Sequence, residues 1–130
     1  MSESPIEKQF RLAWRKLYPK MRLVDQYKVG RYRLDFAYPS VKVAVELDGW
    51  RTHSSTTDIA NDRRRQREIE RLGWRFIRFG GQEVYRDPAG CCRETHAFIL
   101  SLQQKKSETA SALPSSHLAR VVSFFLGRSE

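Results

Sequence analysis

Glu46, Asp48 and His53 are three side chains that could bind a metal ion or transfer a proton, and they lie close together in the stretch VAVELDGWRTH, Val43 to His53. Glu46 and Asp48 are two residues apart, so in an extended strand their side chains project from the same face. Carboxylates crowded at one place repel one another unless a hard cation lies between them, and Mg²⁺ prefers carboxylate oxygens and retained waters. The spacing therefore indicates a metal site. The alternative for each acid alone is a solvated side chain or an ion pair with an arginine.

Asp35 is the candidate for a third carboxylate. It lies in YRLDFAYPS, where Leu34 and Phe36 are expected to share one face of a strand and Asp35 to lie on the other. If this strand pairs with the next one, Asp35, Glu46 and Asp48 converge at one edge of the sheet. The clustering of acids within strongly apolar surroundings favours a metal site over three unrelated surface acids.

Three further residues could take part in catalysis, but each also has a simpler structural explanation. His53 could be a general base, since an ordinary histidine pKa of about 6.5 suits proton transfer at neutral pH, although a single histidine after a strand is more often a surface residue. Asp62 lies early in a basic helix, where an acid stabilises the helix N-terminus. Glu7 has the spacing of a capping-box residue behind Ser4. Their types and positions alone assign them no site.

The elements that must position these residues follow from periodicity and end signals. SPIEKQFRLAWRKLYPK predicts a helix that begins at Pro5 and runs to about Tyr18. LVDQYKVGRYRLDFAYPS predicts two strands around a turn near Gly30, and VKVAVELDG a third strand. DIANDRRRQREIERL predicts a very basic helix that stops at Gly73, followed by the strand WRFIRF. A last core helix is expected from Pro88.

The expected fold is α/β or α+β, with a mixed sheet of about four strands flanked by helices in the order α-β-β-β-α-β-α. We expect residues 1–103 to form one domain, residues 104–116 a flexible polar linker and residues 117–130 a short amphipathic helix. A helix that short must dock on the domain, on a second copy or on another protein. A homodimer or a protein partner through this helix is therefore possible.

The charge balance is strongly positive. The 130 residues include 24 lysines and arginines against 15 acids, a net charge of +9. Nucleic acid suits this charge better than a membrane, because no run approaches the roughly 18 apolar residues of a spanning helix. The start, MSESPIEKQF, has no apolar core of the signal-peptide type, and the only cysteines, the adjacent Cys91 and Cys92, suit a reducing compartment. We expect a cytoplasmic protein.

Arginines are concentrated on the second predicted helix. Arg63, Arg67 and Arg71 repeat at one-turn spacing and therefore line one side of it. Such a row can hold backbone phosphates, which positions a nucleic acid without reading its sequence. The alternative is a solvated helix face paired with Glu68 and Glu70. The other candidates for phosphate contacts are Arg31, Arg33, Arg51 and Arg64, and the basic surface also includes Arg65, Arg75 and Arg78.

The runs YRLDFAYPSVKVAVELDGWRTH and DRRRQREIERLGWRFIRF resemble a known family. They are similar to the bacterial endonuclease-like domain related to very-short-patch-repair endonucleases, in the EDxHD branch of the PD-(D/E)XK nuclease superfamily. The resemblance extends roughly from Pro5 to Leu102. It implies a restriction-endonuclease-like core and a DNA endonuclease or nickase that depends on Mg²⁺ or Mn²⁺. The alternative is a catalytically silent nucleic-acid-binding or accessory module with the same fold.

The family pattern also implies roles for individual residues. Glu7 would be the acid on the first helix, Asp35 the central metal-binding aspartate, His53 the catalytic histidine and Asp62 the last acid. The unspecified position of the pattern falls near Leu47, which would contribute its backbone carbonyl.

The sequence departs from the family pattern at several positions. Asp48 replaces the lysine that the superfamily usually has two residues after the third-strand acid, so His53 is the expected base and Glu46 and Asp48 share the remaining metal-binding role. Trp50 lies in the loop where the repair enzymes carry several DNA-wedging aromatic residues, and it is a candidate DNA contact. The repair enzymes have a structural zinc site, but the spacing of the cysteines does not reproduce it, so no structural zinc is expected.

Overall fold

The structure, a computed structural model, describes residues 3–49 and 55–112. Each prediction for Trp50, Arg51, His53 or the helix at 117–130 lies outside the described residues. The elements in chain order are α1 (Pro5–Leu17), β1 (Val24–Val29), β2 (Tyr32–Tyr38), a 3₁₀ turn (Pro39–Val41), β3 (Val43–Asp48), α2 (Thr56–Arg71), β4 (Arg75–Gly80), α3 (Gly81–Arg86) and α4 (Pro88–Ala112).

The four strands form one mixed sheet in the spatial order β1-β2-β3-β4. The first three strands pair antiparallel, whereas β4 is parallel to β3 and is reached through the crossover helix α2. In that parallel pair Glu46 lies opposite Arg78. The predicted fold class and element order are confirmed, with the short helix α3 as an addition before the last helix.

Helix α1 begins as its sequence predicts. The hydroxyl of Ser4 accepts a hydrogen bond from the Glu7 backbone N–H at 3.3 Å, and Pro5 occupies the first helical position. Helix α2 has an equivalent cap, in which the Ser55 hydroxyl accepts from the Asp58 N–H at 3.0 Å. These caps fix the start of the two helices that cover the sheet.

The buried strand β3 separates two apolar cores. On one face Phe10 of α1 contacts Phe36 and Phe79, with ring centroids 5.3 and 6.3 Å apart. The other core lies against α2, and its buried members are Val29, Leu34, Ala37, Ala44, Ile69 and Trp74. Each face of the sheet is thus covered by one of the two capped helices.

The alternation of side chains in β2 is interrupted at Asp35. Leu34 belongs to the core against α2, whereas Phe36 contacts Phe10 of α1. The prediction that Leu34 and Phe36 share one face is therefore wrong. The physical reason is local: the β2–β3 pairing ends at Phe36, and the Asp35 side chain, in place of a backbone carbonyl, accepts the next N–H, that of Leu47, at 2.9 Å.

Helix α4 is longer than the sequence indicated, since it continues to Ala112. The prediction of a flexible linker at 104–116 therefore fails over residues 104–112. Strong helix formers fill this stretch, and Gln104 donates to Glu108 one turn later at 3.1 Å. Residues up to Ile99 form one compact unit, and those from Leu100 onwards belong to a second. Among the described residues, no helix is long and apolar enough to cross a membrane.

Candidate active site

Asp35 and Glu46 form a close pair of carboxylates where β2 and β3 separate. The Asp35 carboxylate is held by the Leu47 N–H at 2.9 Å, and Glu46 is the residue before Leu47 on β3. Glu46 is only 6% exposed because it lies within the apolar run VAVEL. Burial, followed by the charge of Asp35 and a hydrogen bond to it, raises the pKa of Glu46 to about 7. The raised pKa thus reflects first the loss of water around Glu46 and second the nearby carboxylate of Asp35.

Arg65 of α2 supplies the nearest positive charge. Its Nη2 donates to the Glu46 carboxylate and, at 2.7 Å, to the backbone carbonyl of Arg33. Its Nη1 lies 3.9 Å from Asp62 Oδ1. The bond to Arg65 lowers the pKa of Glu46, but burial and Asp35 together outweigh it. One guanidinium thus faces two carboxylates and a carbonyl.

Glu7 approaches this pair from helix α1. Burial raises the pKa of Glu7, and the charge of Asp35 is the next cause. Glu7, Asp35 and Phe36 line one cleft of about 360 Å³, together with Glu3, Asp25, Gln26 and Arg33. The structure therefore places Glu7 and Asp35 on the same cleft, while the role that the family resemblance implied for Glu7 stays a prediction.

Asp48 and Asp62 form a different group, joined by Arg78 of β4. Arg78 Nε and Nη2 donate to the two oxygens of Asp48 at 3.1 and 3.0 Å, and Nη2 also donates to Asp62 at 2.9 Å. Its Nη1 donates to Gln66. The predicted cluster of Asp35, Glu46 and Asp48 is thus divided in two, because Arg78 lies opposite Glu46 in the ladder and reaches the next acid along β3.

The donor set of the first pair fits a hard divalent cation. Within residues 3–49 and 55–112 no three histidine, cysteine, aspartate or glutamate side chains are grouped as a metal site. Mg²⁺ does not need three, since it is commonly held by one or two carboxylates together with waters and substrate phosphate oxygens. Asp35 and Glu46 offer two carboxylates with an excess of negative charge. The Leu47 carbonyl as a further ligand stays a prediction.

Most of the candidate DNA-binding arginines on α2 are exposed. Arg63, Arg64, Arg67 and Arg71 point to solvent, and within the described chain none of the four forms an ion pair. They provide positive charge that no neighbouring acid neutralises at contact distance.

The β1–β2 turn carries a second group of candidate arginines. Arg31 donates to the Tyr32 hydroxyl at 2.8 Å and lies 3.5 Å from the Glu68 carboxylate, which also accepts from Tyr32. Arg33 is exposed at the acidic cleft, while its backbone carbonyl holds Arg65. Arg31 is therefore partly paired with Glu68, whereas the sequence alternative had paired Glu68 with the arginines of α2.

The cysteines lie in the core of the α1–α4 contact. Cys91 and Cys92 are buried, and burial raises the pKa of the two thiols to about 11 and about 12. The Cys92 thiol donates to the Phe10 carbonyl at 3.5 Å, and His96 stacks on Tyr18 with ring centroids 3.9 Å apart. These residues act as packing groups between the two helices.

Sequence reasoning missed the residues that balance the acids. Arg65 and Arg78 contact three of the candidate acids, and Gln66 binds Arg78. The two arginines were expected only as parts of a basic surface, and Gln66 was not a candidate. Only strand register could have identified Arg78, because its pairing position opposite Glu46 is a tertiary feature. Arg65 lies one helical turn before Ile69, which faces the sheet, so its inward direction could have been inferred.

The comparisons with known proteins agree with this fold. The protein-family model REase_MTES_1575 matches residues 16–99. The uncharacterized protein YcjD of Escherichia coli (strain K12) is 38% identical over 80 residues, which are 58% of this chain and 66% of YcjD. The uncharacterized protein MT2308 of Mycobacterium tuberculosis (strain CDC 1551 / Oshkosh) is 28% identical over 57 residues, 44% of this chain and 21% of MT2308. The chain thus spans just under two thirds of one relative and about a fifth of the other.

A solved structure with the same fold is the catalytic domain of the homing endonuclease I-Bth0305I. It matches with a TM-score of 0.62 and 16% sequence identity, over 77% of this chain and 98% of that domain. At that identity the match establishes the nuclease-like fold.

Proposed function

This chain belongs to the restriction-endonuclease-like family REase_MTES_1575, and on that premise we propose that it is a metal-dependent endonuclease or nickase that hydrolyses phosphodiester bonds of DNA. One observation carries the proposal: the buried Glu46 lies beside Asp35, and in the part of the chain that the structure describes Arg65 is the one arginine paired with either carboxylate, through Glu46. Burying uncompensated charge is costly, so a fold that keeps it requires a reason. A bound cation supplies that reason.

Asp35 and Glu46 would hold Mg²⁺ or Mn²⁺, with the Leu47 carbonyl as a further ligand. The Leu47 N–H fixes the Asp35 carboxylate, so this ligand is oriented before any ion arrives. A divalent ion bound here neutralises charge on the scissile phosphate and assists departure of the leaving oxygen. Arg65 keeps Glu46 in place on the α2 side.

His53 is the proposed general base. The family resemblance supports this role, since the EDxHD pattern has a histidine at this position and the usual superfamily lysine is replaced by Asp48. A histidine near its ordinary pKa can accept a proton from the attacking water at neutral pH. Either Glu7 or Asp62, the two acids from the helices, is the proposed residue that orients it. The assignment to the very-short-patch-repair-like branch is part of this proposal.

The exposed arginines of α2 would hold the DNA backbone. A net charge of +9 and the outward-facing row at Arg63, Arg67 and Arg71 support this role. Arg64, Arg31 and Arg33 are further candidates, as are Trp50 and Arg51 in the loop after β3. Such contacts release counterions, so DNA affinity is expected to fall steeply with salt.

A second candidate function is a DNA-binding accessory module that does not cut. The contacts of Arg65 and Arg78 favour it, because three of the candidate acids are each bound to an arginine. An acid paired in this way is less available to a metal ion. Both functions predict DNA binding, and only cleavage separates them.

The separating experiment follows the nicking of supercoiled plasmid with EDTA, Mg²⁺ or Mn²⁺. The wild-type chain is expected to nick only with a divalent ion, and Asp35→Asn is expected to lower the rate on the order of 10³-fold because it removes a charged ligand from the site. The matched control is Asp25→Asn, the same change at an exposed acid of the same cleft.

Each outcome of that experiment has a definite meaning. Equal losses in the two variants would indicate a general charge effect on DNA binding and would contradict the role of Asp35. An inactive wild-type chain that still binds DNA in a salt-sensitive way would establish the accessory function instead.

A further inference from the structure

Arg78 uses four donor contacts to join the second pair of acids. Nε and Nη2 bind both oxygens of Asp48 at 3.1 and 3.0 Å, Nη2 also binds Asp62 at 2.9 Å, and Nη1 binds the Gln66 amide oxygen. Asp48 ends β3, whereas Asp62 and Gln66 lie on α2. A single guanidinium thus connects the end of β3 to α2, as a bridging cation would.

The group is well formed rather than an incidental surface pair. The Arg78 side chain is 26% exposed, and those of Asp48 and Asp62 are 44% and 33% exposed. A bidentate contact between arginine and carboxylate has fixed geometry as well as charge assistance. Because arginine does not lose its proton in proteins, no ordinary change of pH releases these acids.

We propose that Arg78 permanently occupies the position of a second cation, so that the chain binds one divalent ion at Asp35 and Glu46 and none at Asp48 and Asp62. This inference rests on the proposed metal site of the nuclease. Two-metal nucleases use a second ion to neutralise charge around the scissile phosphate, and a guanidinium can supply such charge. A guanidinium does not activate water, so that task falls to the first site and to His53.

A simpler explanation is that Arg78 only ties α2 to the sheet. The two explanations differ in what happens when the arginine is removed. If Arg78 replaces an ion, its loss leaves Asp48 and Asp62 as two facing carboxylates with excess negative charge, which is the donor set of a new site. If Arg78 only holds α2 against the sheet, its loss weakens the attachment of the helix and creates no metal site.

The test is a Mn²⁺ titration of the full chain without DNA, in which electron paramagnetic resonance measures the free ion. The wild-type chain is expected to bind one ion, Arg78→Gln two, and Asp35→Asn none. Asp48→Asn is expected to bind one ion, with a dissociation constant within about fivefold of wild type, the size of an exposed charge effect. Arg75→Gln, at an exposed arginine of the same strand, is the matched control and should bind one ion.

Two results would overturn the inference: two ions bound by the wild-type chain, or loss of binding in Asp48→Asn. An unchanged single ion in a folded Arg78→Gln would also overturn it and leave Arg78 as a tie. If Arg78→Gln does not fold, Asp48→Asn and Asp62→Asn decide alone. Failure of the proposed function is distinct, because a chain that binds one ion but never cuts DNA satisfies this inference and contradicts the endonuclease.

Discussion

Two pairs of acids lie near the same end of β3 and differ in how their charge is balanced. In the first pair Arg65 binds Glu46 and a backbone carbonyl, while Asp35 accepts a hydrogen bond from the Leu47 N–H. Asp48 and Asp62 are bridged by Arg78 through three hydrogen bonds. Each pair thus has two carboxylates and one contacting guanidinium, but Arg78 binds both acids of its pair whereas Arg65 binds only the buried Glu46. Acids that lie close together do not by themselves define a cation site, because a guanidinium can already bridge them.

Depth in the sheet explains the difference. Glu46 lies in the buried part of β3 and is 6% exposed, whereas the Asp48 side chain, two residues later, is 44% exposed. Buried charge has little water to stabilise it, so each missing counter-charge has a large effect at Glu46 and a small one at Asp48. This difference in burial predicts large effects of changes at the buried pair and small effects of changes at exposed charges.

The largest effect is expected from removing Arg65, the arginine that pairs with the buried Glu46. Arg65→Met keeps the apolar stem but leaves Glu46 buried without its partner, and should lower the free energy of unfolding by about 3 kcal/mol. Arg67→Met, the same change at an exposed arginine of the same helix, should change it by less than about 0.5 kcal/mol. Urea unfolding in EDTA measures both. Equal losses would show that Arg65 contributes no more than a surface arginine.

A smaller effect is expected from the titration of Glu46, whose pKa is raised from 4.5 to about 7 in the folded chain. Between these values the folded chain holds a proton that the unfolded chain has released. The free energy of unfolding should therefore fall as pH rises from about 4.5 to about 7, and this contribution should be constant outside that window. The fall should be about 2 kcal/mol, less than the full shift implies because Glu46 and Asp35 titrate together.

Glu46→Gln tests the origin of this fall. In EDTA, the variant should lose most of the wild-type pH dependence between about pH 5 and about pH 7. Added Mg²⁺ should flatten the wild-type profile as well, because the bound ion stabilises the ionised carboxylates. A variant that keeps the wild-type slope would assign the pH dependence to another group.

The smallest effect is expected at an exposed arginine of α2, in contrast to Arg65 and Arg78, which contact acids. Arg67→Ala should weaken DNA binding by about threefold and reduce the salt slope of log K by about 0.9, the loss of one phosphate contact. The change should be similar for different DNA sequences, because phosphate contacts read no bases. Fluorescence anisotropy at several salt concentrations measures both values. An unchanged salt slope would place the α2 row away from DNA.

The sequence predicted the fold because its determinants are local. Capping residues and apolar spacing mark α1, and a run of buried residues marks β3. Two local predictions were wrong. One failed because a side chain replaced a backbone hydrogen-bond acceptor, and the other because strong helix-forming residues outweighed the polar character of the segment. At Asp35 the carboxylate accepts the Leu47 N–H and reverses the faces around it, and at residues 104–112 the helix continues.

The sequence predicted which acids form the candidate site, but not that they separate into two pairs. Alternation placed Glu46 and Asp48 on one face, and no local pattern could show that one would be buried beside Asp35 and the other bound by Arg78. That outcome depends on the register of β4 against β3 and on which α2 side chains face the sheet. Register is set by packing of the whole domain, so the counter-charges became visible only in three dimensions.

The most direct test of the central claim is the anomalous diffraction signal of Mn²⁺ in crystals of the wild-type chain. We predict one peak, within ordinary coordination distance of oxygens of both Asp35 and Glu46, at about 2.0–2.2 Å. The Arg78 guanidinium should still bridge Asp48 and Asp62 in the same crystal. A peak between Asp48 and Asp62, or a fully occupied ion that avoids Asp35, would contradict it.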